Sequence, residues 1–230
     1  MKLLIACIDG ADYDLIHQCD FQNFLQDTNY KLSIPRSAYH PELNSPWTPL
    51  VWPTILSGKE HDKSLIKKGK SFTCPSPTFL DLCDSINIDV PTTKEYPWKL
   101  HQLRNDLSFV EIMDQQKEKY YDRGRRVRSA LDKNIDVVAF YLNVLDIASH
   151  LNWHKQDLMV ALYIVVDQFL AAIKPENTPM IVVSDHGFKY PDNKIGGVHS
   201  DYAYLSVNFK PDPEPKSTLD VYPIVKNILS

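Results

Sequence analysis

The chain has 230 residues, of which 43% are hydrophobic and 23% charged, with a formal charge of −4. That is enough apolar material for a sizeable core without disulfide support. The mild, mixed charge excludes the basic footprint of a general nucleic-acid binder, so no stable nucleic-acid partner is expected.

The N-terminus "MKLLIACIDGAD" is apolar only briefly before Asp9 interrupts it, and it lacks the apolar core and cleavage site of a signal peptide. Within it, Leu3 to Ile8 reads as a buried strand, continuous rather than alternating. The Pro-rich "FTCPSPTF" reads as a loop, and "PTFLDLCDS" shows helical spacing after a proline start. A weaker strand follows at Ile86 to Val90. Phe109 to Lys133 is rich in helix formers and carries the basic run "RGRRVR", Arg123 to Arg128, whose ordinary reading is a solvated helix face. Val137 to Leu142 is a second buried strand. His154 to Lys174, with apolar residues three and four apart and no Gly or Pro, is a helix, and Met180 to Val183 is a third strand. Tyr202 to Phe209 alternates like a strand. After the loop "KPDPEPKS", the tail reads as a helix opened by Ser217 or Thr218, with Pro223 in its first turn. No run approaches the ~20 apolar residues of a membrane span. The cysteines Cys7, Cys19, Cys74 and Cys83 have no paired spacing and suit a reducing compartment, so a cytoplasmic chain with no membrane partner is expected.

Strands separated by helices predict an α/β fold, with a mainly parallel central sheet flanked by helices on both faces and a single domain over 1–230. Each strong strand is followed by a carboxylate: Asp9 in "CIDGAD", Asp146 in "LNVLDIASH" and Asp185 in "VVSDHGF". Open α/β sheets bind ligands beyond the C-terminal ends of their strands, so the three acids should gather on one edge. Taken alone, a strand-end Asp is usually a helix cap and a lone His a surface residue. Three Asp converging with His150, His186 and His199 read differently, because bare like charges repel unless cations hold them. Mixed oxygen and nitrogen donors suit zinc, or manganese as second choice. Six ligands are too many for one catalytic ion and suit two, ~4 Å apart, the clamp used for in-line displacement at phosphorus.

The segment "NSPWTPLVWPTILSGKEH" offers Ser45, Thr48, Thr54 and Ser57 as hydroxyl nucleophiles. Thr48 precedes Pro49, a residue favoured at helix starts. It reads equally as a helix cap or as a nucleophile in the positive field of a helix N-terminus.

In order, "IDGAD", "TPLVWPTILSG", "DIASH", "SDHG" and "GVH" resemble the signature of the alkaline phosphatase superfamily, in particular its type I phosphodiesterase/nucleotide pyrophosphatase branch. Thr48 stands ten residues before Gly58, with Ser57 where that branch has Thr, and Trp52 matches a Trp of shorter relatives. The segment running from "PTFLDLCDSINIDVP" to "EYPW" and the closing helix are also similar, so the resemblance covers nearly the whole chain with reduced insertions.

The resemblance implies two metal sites, Asp146, His150 and His199 at one and Asp9, Thr48, Asp185 and His186 at the other. It implies Thr48 as the nucleophile that forms a phospho-threonine intermediate, acting on a small-molecule phosphodiester or nucleotide. Val51 stands where the branch commonly has an Asn that donates to the phosphoryl group, and Pro49 removes a backbone N–H. Asn44, Lys59 or an arginine of the basic run are the candidates to compensate, and Trp52 is a candidate stacking surface. The alternatives are a phosphomonoesterase or phosphomutase of the same superfamily and a non-catalytic binding protein on this fold.

Overall fold

The computed structural model describes residues 1–65, 74, 77–91, 109–190 and 196–230. Part of the "FTCPSPTF" loop and all of "EYPW" lie outside the described residues.

The centre is a strand pair built from the two longest apolar runs. β1 (Leu3–Ile8) and β4 (Val137–Leu142) are parallel in a register that sets Leu3 opposite Val137 and Ile8 opposite Leu142. All twelve of their residues are buried. β5 (Met180–Ser184) pairs parallel on the other side of β1, and β3 (Ser85–Ile88) parallel on the other side of β4. β8 (Tyr202–Val207) is antiparallel to β5, and β2 (Thr28–Ser33) pairs with β8 at the far edge. The six-stranded order is β2-β8-β5-β1-β4-β3, so the three acid-bearing strands are neighbours pointing the same way.

Both faces are covered, which is why the central strands show no polar alternation. Leu4, Ala6, Ile8, Val138, Phe140 and Val182 face a layer formed by α1 (Tyr13–Cys19), α3 (Phe109–Leu131), α4 (Val144–Asn152) and α5 (Gln156–Ile173). Leu3, Ile5, Cys7, Ala139, Ile181 and Val183 face α2 (Thr48–Ser57) and α6 (Val221–Leu229). At about 1.5–3 kcal/mol per buried large aliphatic side chain, these two layers dominate stability. Length and composition alone would let α5 cross a membrane. Here it packs Met159, Leu162, Tyr163, Val166, Leu170 and Ile173 into the core.

Four local expectations change. "PTFLDLCDS" forms only a 3₁₀ turn, Phe79–Asp81, closed by a Thr78/Asp81 capping box, because β3 begins at Ser85 and leaves no room for a helix. β8 is buried almost throughout; Tyr204 and Ser206 are accommodated because both hydroxyls donate to the Phe24 carbonyl. The tail begins with a 3₁₀ turn, Thr218–Asp220, capped by Ser217, and places Pro223 in the first turn of α6. The basic run is partly structural: Arg123 Nε lies 3.0 Å and Arg126 Nη1 3.2 Å from Asp89, which ties α3 to the end of β3.

Candidate active site

The loops after β1, β4 and β5 are stitched together by their own backbones. Asp146 N–H donates to the Asp9 carbonyl (3.2 Å), and Asp9 N–H donates to the Leu142 carbonyl (2.8 Å). Ala11 N–H donates to Ser184 Oγ (2.9 Å). Asp12 caps α1 through Leu15 N–H and accepts Phe188 N–H with its other oxygen (3.0 Å). Gly10 sits at φ +74, and a Cβ there would lie 2.8 Å from the Asp146 Cα, so only glycine lets the first and second loops close together. Gly196, at φ +96, similarly abuts the His150 carbonyl, and brings the chain back to deliver His199.

All three histidines turn Nε2 inward. His186 Nδ1 donates to the Gly187 carbonyl (3.2 Å) and His199 Nδ1 to the Pro46 carbonyl (2.8 Å); carbonyls only accept, so each Nδ1 carries the proton. His150 is held by the Gly197 backbone. This is the outer support expected of imidazoles presented as metal ligands. His186 Nε2 then meets Thr48 Oγ1 at 3.0 Å, Asp185 Oδ2 at 3.2 Å, Asp9 Oδ1 at 3.5 Å and Asp146 Oδ1 at 3.9 Å. Asp146 Oδ1 also lies 3.3 Å from His150 Nε2 and 3.4 Å from His199 Nε2. Phe188 sets its ring edge-on to all three imidazoles at 5.1–5.6 Å, an apolar floor that keeps them from spreading.

The electrostatics are unfavourable as they stand. Burial, then the charges of Asp185 and Asp146, push the Asp9 carboxyl well above its ordinary range. Burial raises Asp185 to about 7. Burial, with His199 adding to it, holds His186 well below the usual imidazole range. Burial also opposes ionisation of Asp146, but the neighbouring His150 and His199 outweigh it and hold that carboxyl low; Asp146 in turn raises His150 against its own burial. Asp9 Oδ1, Asp146 Oδ1 and Asp185 Oδ2 are buried with no hydrogen-bond partner among the described residues. Buried carboxylate oxygens are almost never left so, and a divalent cation among them satisfies both the oxygens and the inward Nε2 lone pairs.

Two sets of ligand atoms lie within 4.8 Å of one another: Asp146, His150 and His199, and Asp9, Asp146 and His186. Among the described residues these two sets hold five of the seven residues singled out from the motifs, with Asp146 in both, and Thr48 and Asp185 join them through His186 Nε2.

Thr48 is not a helix cap: Trp47 occupies that position and Thr48 is the first residue of α2, its hydroxyl turned into the cluster. Thr54 and Ser57 are buried and donate to the carbonyls of Leu50 and Pro53, as helix-internal hydroxyls do. His61 is buried, with its ring nitrogen 2.8 Å from Ser57 Oγ.

The weaker substrate-contact candidates are corrected. Trp52 is fully buried in the core and cannot stack on a ligand. Lys59 is exposed past the far end of α2, more than about 13 Å from Thr48 along the helix. Asn44 is exposed in the turn opened by His40, at φ +47, two residues before Pro46, whose carbonyl holds His199. Sequence reasoning missed Phe188 and Tyr141, whose hydroxyl donates to Asp9 Oδ2. Tyr141 lies inside an apolar run and carries no signal beyond core, and Phe188, between Gly187 and Lys189, carries none of its own.

No family model and no curated protein matches the sequence. Among solved structures, it is similar to murine ectonucleotide pyrophosphatase/phosphodiesterase 5, at 14% identity and a TM-score of 0.57 over 82% of this chain and 58% of that one. It is similar to a TAB5 alkaline phosphatase variant with Mg bound, at 10% identity and a TM-score of 0.53 over 99% and 97%. A third is the C-terminal periplasmic domain of EcEptC from Escherichia coli, at 12% and 0.53 over 99% and 82%. The chain has the alkaline phosphatase-like fold. It spans 58% of the length of the murine protein, an inactive variant of which is known in complex with AMP.

Proposed function

We propose that residues 1–230 form a single catalytic unit that hydrolyses small-molecule phosphodiesters or nucleotide phosphoanhydrides, with Thr48 as nucleophile. The observation that carries this is the position of Thr48 Oγ1, 3.0 Å from His186 Nε2 in a pocket of unpartnered carboxylate oxygens. Asp9, Asp185 and His186 would hold one divalent ion beside Thr48, and Asp146, His150 and His199 a second, with Asp146 Oδ1 within reach of both, zinc by donor type with manganese next. Bound there, the ions supply Lewis-acid polarisation of the phosphoryl group and make ionisation of a nearby hydroxyl easier.

The chain's own residues do the rest. α2 presents Thr48 at its positive end, and the Thr48 oxygen, having lost its proton, forms the new bond to phosphorus as the bond to the leaving group breaks. Water then cleaves the phospho-threonine and restores the hydroxyl. α2 gives little backbone help, because Pro49 has no N–H and the N–H groups of Leu50 and Val51 both donate to the Trp47 carbonyl. Lys189, two residues from the Asp-His-Gly turn, is held by Asp201 at 2.6 Å. Three carboxylates with two divalent ions leave one net positive charge for the ionised Thr48 and substrate to share, which favours a monoanionic diester over a dianionic monoester. The AMP complex of a protein with the same fold supports a nucleotide-type substrate.

The near-complete mutual coverage with TAB5 alkaline phosphatase, 99% and 97%, favours a second reading as a phosphomonoesterase. Assay of a chromogenic phosphodiester and its monoester, with zinc- or manganese-loaded protein and with chelator, separates the two. Faster turnover of the monoester promotes the second reading, and metal-bound protein inert toward both removes the enzymatic one for such substrates.

A further inference from the structure

Tyr141 is the fifth residue of β4, opposite Cys7 of β1, and is 3% exposed. Its side chain leaves the sheet on the α2 side, where its ring meets Trp52 edge-on at 5.7 Å and 86°. Trp52 lies one turn beyond Thr48 in α2. The Tyr141 hydroxyl donates to Asp9 Oδ2. The other Asp9 oxygen, Oδ1, is buried without a partner and faces His186 Nε2 at 3.5 Å.

A buried carboxylate has two chemically equivalent oxygens and a soft terminal torsion, so by itself it does not choose which oxygen to present. A phenol fixed in a central strand removes that equivalence. We infer that Tyr141 is a positioning residue for the nucleophile-side metal. It occupies Asp9 Oδ2, leaves Oδ1 as the only oxygen free to ligate, and through the Trp52 contact sets that oxygen in register with Thr48. This rests on the two-metal reading of the site. A tyrosine serving only the core would contribute packing, and its hydroxyl would have no influence on metal affinity.

Tyr141→Phe keeps the ring against Trp52 and removes only the hydroxyl. Zinc and manganese affinities are measured by competition with a chromophoric chelator, for the wild type, Tyr141→Phe, Asp9→Asn and the double variant. The first variant is expected to weaken one of two binding steps about 10–100-fold, the range for lost outer-shell support, and to leave the other step unchanged. Its chelated melting temperature is expected to fall by roughly 2–12 °C, because Asp9 Oδ2 loses its buried donor, and metal affinity is therefore read separately from stability. Because Tyr141 acts through Asp9, the double variant should lose no more than Asp9→Asn alone. Two unchanged steps in Tyr141→Phe, equal weakening of both, or losses that add in the double variant overturn the inference while leaving the two-metal reading intact. A wild-type protein that takes up neither ion overturns both.

Discussion

Replacing Asp185 with Asn should stabilise the chelated protein at pH 8, and metal should shrink or reverse that advantage. In the chelated protein, burial raises the Asp185 carboxyl from 3.8 to about 7. A raised acid favours folding below its unfolded value and loses that contribution as pH climbs through its folded value, so the cost grows between pH 3.8 and about 7. Three units at ~1.4 kcal/mol each set a ceiling on the order of 4 kcal/mol at pH 8. The neutral amide escapes that cost. It keeps an oxygen for the Gly10 N–H, which donates to Asp185 Oδ1 at 3.4 Å, but its other hydrogen-bonding needs return about 1–3 kcal/mol. The chelated variant should therefore be more stable than chelated wild type at pH 8 by about 1–3 kcal/mol, or roughly 2–12 °C for a chain of this size.

With zinc at ~100 times its dissociation constant, the wild type gains about 2.7 kcal/mol, roughly 5–11 °C, and the variant gains less because it has lost a ligand. Thermal melts at pH 8 and pH 5, each with chelator and with metal, measure all four states. Going from pH 8 to pH 5, protonation of Asp185 should shift the chelated difference by roughly 3 kcal/mol toward the wild type, two units at ~1.4 kcal/mol each, which closes or reverses it. A chelated variant less stable than wild type at pH 8, a gap that ignores pH, or equal metal stabilisation of both proteins refutes the electrostatic account.

Thr48→Ala should abolish turnover of the chromogenic diester while keeping most metal affinity; loss of turnover in Thr54→Ala instead would move the nucleophile six residues along α2. Asp146→Asn should weaken both metal-binding steps in a chelator competition, because Oδ1 belongs to both ligand sets, whereas His150→Ala should weaken only one. Gly10→Ala should destabilise by about 1–3 kcal/mol in urea titration, since φ is +74 and the added carbon meets the Asp146 backbone at 2.8 Å; an unchanged midpoint would show that the loop can open.

The parts of this fold legible in the sequence are those fixed by burial on two faces. β1, β4 and β5 read as strands because layers on both sides make every position apolar, and the acid after each marks where the core ends. β2 was not legible: as an edge strand with Lys31 exposed, its residues carry no apolar run, and its partner β8 supplies the pairing. α1 depends on the Asp12 cap and on only two fully buried residues, Leu15 and Ile16, a periodicity too short to see. In the site, the residues that bring chemistry are polar in apolar surroundings and stand out. Those that orient them do not: Tyr141 sits inside an apolar run and Phe188 between Gly187 and Lys189, and their roles depend on contacts with residues distant in the chain. Trp52 failed as a substrate contact for the same reason, since the position of a tryptophan along the chain does not say which way α2 turns it. The resulting division of labour has an energetic logic. The buried Asp9 and Asp185 carboxyls are costly to ionise without a cation beside them, and that cost is sustained by a core that contains neither. On the two-metal reading, metal uptake and folding stability are coupled through Asp9 and Asp185, which directly follow β1 and β5, and through Asp146 in the first turn of α4.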